Sequence, residues 1–385
     1  MKISRRRFLQ GAIILTQCRL SHAASAQTRV NNVAQIKELD IYENQIIFAE
    51  GYYFPEQESA LFYRVVKTRA NTPLQPHAII INSRFHIVPQ FKESISFKQL
   101  GLKMDGRTDE TRRLREILRH RGNYFFNPGT LVVSDFIELN SDISIRGQDT
   151  ATSVIEYRSD KNNWLFINGE KGNPQFISTE GYSGRGNYLF SNFTINLRGD
   201  LARGSRSAFI FGRCDNIKIS HLNFINGKNS HRIECNSSRN VLIEHCTFAD
   251  TLITDNKSHE EINIDFNTVK GFPAYGQWDG SGCQDVVIRH CRFENVQTGI
   301  ACHSQAQTMH KNIYIDSCLF KNNHAYPIKL MGFEDTFLSG IRLIDNAKPI
   351  IVIHSNNIIL RKVTDSSGRR IIVKKSTRIV TDQNE

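Results

Sequence analysis

The sequence predicts an all-β chain wound as a right-handed, single-stranded parallel β-helix, and three observations carry that expectation. A nine-residue strand motif recurs, apolar and polar positions alternate within each copy, and no helical periodicity interrupts residues 143–373. The copies run Asn216-Ile217-Lys218-Ile219-Ser220-His221-Leu222-Asn223-Phe224, then Asn240 to Phe248, Asp285 to Phe293 and Asn312 to Phe320, after a degenerate forerunner at Tyr188 to Ile195. Their closing phenylalanines are 24, 45 and 27 residues apart. One coil therefore carries an insertion of about twenty residues. A repeat this short cannot bury its apolar face alone, and stacking successive copies completes a core. Ile219, Ile243, Ile288 and Ile315 then form one inward ladder, and Cys246, Cys291 and Cys318 another. A β-sandwich would show longer antiparallel strands and turn signals in place of an aligned motif.

With 385 residues, 39% apolar and 23% charged, the chain is large enough for a sizeable core. Those proportions exclude wholesale disorder, collagen and coiled coil. No apolar run reaches the ~18–20 residues of a spanning helix. The formal charge is +11, but Lys2, Arg5, Arg6, Arg7 and Arg19 lie in the first 26 residues, which hold no acid; without them the balance is +6. A moderately basic balance suits an anionic polymer as partner, and nothing in the pattern points to nucleic acid.

Met1 to Ala26 reads as an address. Three arginines precede a short apolar stretch from Phe8 to Thr16, and Ala24-Ser25-Ala26 offers the small residues a signal peptidase reads. Ser4-Arg5-Arg6-Arg7-Phe8-Leu9-Gln10 resembles the twin-arginine export signal, with Gln10 in place of its lysine. That resemblance implies a bacterial protein that folds before export to the periplasm or medium. Beyond Cys18, seven cysteines form an odd set with no Cys-x-x-Cys spacing. Buried thiols packed as small hydrophobes are expected in place of disulfides or zinc ligands.

Upstream of the repeats, Leu100-Gly101-Leu102-Lys103-Met104-Asp105-Gly106-Arg107-Thr108-Asp109-Glu110-Thr111 is similar to the GAKGDGxTDDT motif that opens pectin-lyase-fold proteins, with Met104 and Glu110 as departures. Thr108 and Asp109 are helix-capping residues for the amphipathic run from Thr111 to His120, whose Leu114, Ile117 and Leu118 are expected to plug the open end of the solenoid. The stretch from Glu50 to Arg64 resembles the small β-rich module that precedes the β-helix in phage tailspikes and capsule depolymerases. The resemblance implies a signal peptide at 1–26, a tailspike-like module at 27–93, the β-helix at 94–375 and a polar tail at 376–385. It also implies a polysaccharide partner and a monomer or homotrimer.

Function on such a scaffold belongs to outward positions of stacked strands and to inserts. In His231-Arg232-Ile233-Glu234-Cys235-Asn236, alternation sends Ile233 and Cys235 inward and Arg232, Glu234 and Asn236 outward. In Glu261-Ile262-Asn263-Ile264-Asp265 it sends Glu261, Asn263 and Asp265 outward, and in Gly299 to Ser304 it sends His303 outward; Lys329 follows one coil later. Stacking at ~4.8 Å per strand makes these a strip across four coils. The insertion adds Phe272, Tyr275, Trp278 and Asp279, and aromatic faces beside carboxylates suit a sugar ring. The three strands also resemble a pattern of depolymerase-like β-helix proteins, HAIEL, EAIQID, a YDG-like turn and GIGSH, matched here by His231 and Glu234, Glu261 and Asp265, Asp279-Gly280, and His303-Ser304. The ladder of His221, His245 and His290 is read as turn architecture.

Glycoside hydrolysis needs one carboxyl to protonate the leaving oxygen and one to activate water or attack carbon. Glu234 and Asp265 are expected as that pair, with Glu261 and Asp279 tuning their protons. His231, Arg232, His303, Lys329, Tyr275 and Trp278 are expected to bind substrate. No metal is expected in a hydrolase. A lyase acting on a uronic-acid polymer would take His303 or Lys329 as base, with Arg232 or a calcium ion neutralising the carboxylate. A third expectation is a glycan-binding β-helix without catalysis.

Overall fold

A computed structural model describes residues 28–160, 164–169, 180–255, 257, 259–268 and 277–382. The expected address at residues 1–26, Phe272 and Tyr275 lie outside these residues. A five-stranded sheet comes first, ordered Thr28–Val30, Ile46–Ala49, Leu61–Lys67, Phe85–Gln90 and Ile79–Ile80. Helix α1, Thr111–Leu118, buries Leu114, Ile117 and Leu118 against the first coil. Its first turn is capped by Asp109, whose Oδ1 accepts the Thr111 amide at 3.0 Å and the Thr111 hydroxyl at 2.6 Å. Thr108 was expected to share that duty and instead donates its hydroxyl to Asp105.

From there the chain winds into stacked coils whose strands pair in parallel in a nine-stranded and a nineteen-stranded sheet. The crossovers take the right-handed sense that twisted parallel strands impose. Ile219, Ile243, Ile288 and Ile315 are consecutive register partners, continued by Leu338 and Leu360. Phe224, Phe248, Phe293 and Phe320 stack with ring centroids 4.6–4.8 Å apart and nearly coplanar rings. All seven cysteines of the repeats are buried free thiols. Corners between strands demand positive φ, which His, Asn and Asp adopt at less cost than branched residues. His221, His245 and His290 sit there at φ 53–54°, their rings stacked 4.7 and 4.8 Å apart.

Candidate functional site

The nine-stranded sheet carries the expected strip. Its middle strands are Ser207–Gly212, Ile233–Asn236, Glu260–Asp265, Thr298–Ala301 and Ile328–Met331. In register, Ile210, Glu234, Asn263, Ala301 and Lys329 form one cross-strand row, and Gly212, Asn236 and Asp265 form the next. The strip begins at Glu234 because the preceding coil offers only Ile210 and Gly212.

His303 is the hub. Its Nε2 lies 3.2 Å from Oδ2 of Asp265 and its Nδ1 lies 3.4 Å from Oε2 of Glu260. The same Glu260 oxygen is 3.2 Å from Nδ1 of His231, whose ring stacks on that of His303 at 5.5 Å. Asp265 further accepts the Ser304 hydroxyl at 3.0 Å and the Phe266 amide at 2.7 Å. Glu234 is half-buried and accepts the Asn236 amide group at 3.0 Å.

Burial grades these groups. The Glu260 side chain is 0% exposed and that of His231 12%, whereas the His303 ring is 41% exposed. Burial opposes charge on both Glu260 and His231, yet each stabilises the other: His231 rises to about 9 and Glu260 falls well below the usual carboxylate range. The Glu260 carboxylate, with Asp265 beside it, also raises His303.

Sequence reasoning missed Glu260. Strict alternation counts Glu260 with the inward residues and Glu261 with the outward ones, but Glu260 heads its strand and its buried carboxylate reaches the imidazoles of His231 and His303. The tandem Glu260-Glu261 was the signal available. Glu261 and Arg232 need correction. Both were expected on the strip, and both are buried, at 2% and 1%. Glu261 accepts the Thr251 hydroxyl at 2.6 Å and faces Nε of Arg232 at 3.5 Å. Arg232 donates to the carbonyls of Asn229 and Ser230 and lies against Gly227, where an added Cβ would meet its Nη1 at 1.3 Å. Outward from the strand is thus not outward from the protein, because the segments at 227–230 and 251–254 roof this corner. Burial raises the Glu261 carboxyl.

Asp279 is a clasp. Its Oδ2 accepts from Nη1 of Arg213 at 2.6 Å and from the Gly181 amide at 2.5 Å, and its Oδ1 accepts from Ser281. These donors outweigh burial and hold it far below the usual carboxylate range. Trp278 packs edge-on against Phe266 at 5.7 Å and donates to the Ser281 carbonyl. Its ring serves the core more than a ligand. Lys329 stands half-buried at the far end of the strip.

Residues 94–320 match a family model described as rhamnogalacturonase A/epimerase, pectate lyase-like. The chain belongs to that family. Among relatives of this pectate-lyase-like chain, plasmin and fibronectin-binding protein A of Streptococcus pneumoniae is 25% identical over 295 residues. The alignment covers 68% of this chain and 41% of that relative, so the chain spans less than half of the relative's length. Solved structures that share the fold include a surface adhesin and a phage tailspike. The surface adhesin PfbA of Streptococcus pneumoniae superposes with a TM-score of 0.59 at 20% identity, over 76% of this chain and 80% of that one. Tailspike protein gp49 from Acinetobacter baumannii bacteriophage Fri1, a capsular polysaccharide depolymerase, superposes with a TM-score of 0.60 at 11% identity, over 92% and 69%.

Proposed function

We propose that this protein is an exported polysaccharide hydrolase whose acid–base pair is Glu234 and Asp265. One observation supports the choice of hydrolysis: both ring nitrogens of His303 face carboxylates, so the most exposed histidine of the cluster is turned to acidic partners of its own chain and not to a sugar C–H bond. Arg232, expected in a lyase to neutralise the uronate carboxylate, is buried and cannot meet one.

Glu234 and Asp265 lie one strand and two residues apart, about 8 Å between Cα atoms from strand spacing and rise. That separation suits carboxyls ~6.5–9.5 Å apart, the inverting arrangement with room for a water. In this reading half-buried Glu234 protonates the glycosidic oxygen. Asp265, recessed behind His303 and Ser304, takes the proton of the attacking water. His303, Asn236 and Lys329 line the way in and bind hydroxyl or carboxylate groups of the chain. The capsular depolymerase among the structural relatives supports a polysaccharide substrate, and the basic balance supports an anionic one.

The test is reducing-end release from a panel of bacterial exopolysaccharides. Glu234→Gln and Asp265→Asn should each lower the rate by at least about 100-fold with the fold retained. Unchanged release in either variant overturns the assignment. The adhesin relative favours a second reading, binding without cleavage. It predicts retention of a polysaccharide with no new reducing ends from the wild type.

A further inference from the structure

The acid–base pair leaves Glu260 and His231 without a task, and uses His303 only to line the way in. One donor atom from each of His231, Glu260 and His303 lies within 4.8 Å of the other two. The two edges that meet at Oε2 of Glu260 measure 3.2 and 3.4 Å, both to Nδ1 atoms. A first-row divalent ion sits ~2.0–2.2 Å from imidazole nitrogen and carboxylate oxygen, and tetrahedral angles then space its donors about 3.3–3.5 Å apart. Two edges of that figure already exist. The third closes by a small rotation of the His303 ring, which is partly exposed.

The surroundings suit an ion as well. His303 turns its other nitrogen, Nε2, to Oδ2 of Asp265 at 3.2 Å, the carboxylate–histidine contact that orients a ligand and directs Nδ1 to the metal. Nδ1 of His231 lies 3.2 Å from both the Glu260 carbonyl and its carboxylate, so an ion would take the place of the proton shared there. Two nitrogens and one oxygen favour zinc, cobalt, nickel or manganese over calcium, which takes six to eight oxygens.

We propose that His231, Glu260 and His303 form a binding site for a divalent transition-metal ion, with Asp265 as positioning residue and one coordination position open to the groove. The inference does not depend on hydrolysis by Glu234 and Asp265, and its test reads no glycan cleavage.

Untagged protein is stripped with chelator and titrated with Co2+ alone, following visible d–d absorption. In parallel, Zn2+ uptake is measured by equilibrium dialysis and elemental analysis. One ion per chain is expected. His303→Ala should weaken binding by more than about 100-fold, beyond the ~10–100-fold expected for the orienting partner in Asp265→Asn. Glu260→Gln should abolish the d–d band, and because Glu260 is buried its circular dichroism is checked first; His303→Ala, at a partly exposed ring, decides if that variant unfolds. His245→Ala, in the exposed ladder, should leave binding unchanged. Less than 0.1 ion per chain (about the detection floor), retention in His303→Ala, or loss in His245→Ala overturns the proposal.

Discussion

Arg232 and Glu261 face one another beneath Gly227 in a space with almost no solvent, and Thr251 holds the far carboxylate oxygen. Breaking such a pair strands a buried charge, at a cost of about 3–5 kcal/mol, whereas replacing both partners by apolar side chains is often neutral. Arg232→Leu should therefore lower the urea midpoint sharply, and Arg232→Leu with Glu261→Leu should recover most of the loss. Two additive losses would show that the residues do not act as a pair. Neither role was legible in the sequence, because strand alternation reports which face of the sheet a side chain leaves from and not which loop covers it. Glu234, Asp265 and His303 were legible for the opposite reason. Glu234 and His303 lie where nothing roofs the strand completely, and Asp265 leaves the sheet on the same face, covered only by His303 and Ser304. Glu260 was hidden by parity, since it begins its strand at a corner where the count of alternate faces has not yet started.

Strand His310–Asp316 opens on a histidine with no contact to solvent. Its ring stacks 4.2 Å from that of Phe266, and its Nδ1 accepts the Cys283 amide at 3.0 Å. Burial pushes its pKa down from 6.5 to about 3. The unfolded chain takes up this proton near pH 6.5 and the native one only near 3, so native stability is complete above 6.5 and drains away as pH falls toward 3. The limiting slope is about 1.4 kcal/mol per pH unit. Between pH 7.5 and 4.5 the wild type should lose about 2–3 kcal/mol more than His310→Asn, whose amide oxygen can still accept from Cys283. Equal losses, read from urea midpoints at the two values, would remove His310 from the acid response. At this level the sequence was most informative. The recurring motif placed its isoleucines, phenylalanines and stacked histidines in register, since identical residue types at one offset leave a solenoid little choice. The helix Thr111–Leu118 followed from its apolar spacing, whereas its cap shifted from a shared Thr108 and Asp109 to Asp109 alone.

Across the molecule, the coil brings acids some thirty residues apart in sequence onto neighbouring strands, and one long ladder of parallel pairing holds them in line. The same regularity made the fold readable. Its interruptions were not, because an insert has no register to obey: Asp279 leaves the groove to clasp Arg213, and Trp278 turns onto Phe266. Cleavage of a polysaccharide beside these strands should follow the geometry of their carboxylates. The most direct measurement is proton magnetic resonance of the first oligosaccharides released from a cleaved exopolysaccharide. Saturated products whose new reducing ends carry the inverted anomeric configuration are expected. Unsaturated ends, or first products that keep the starting configuration, would show that Glu234 and Asp265 do not work as an acid and base across a water.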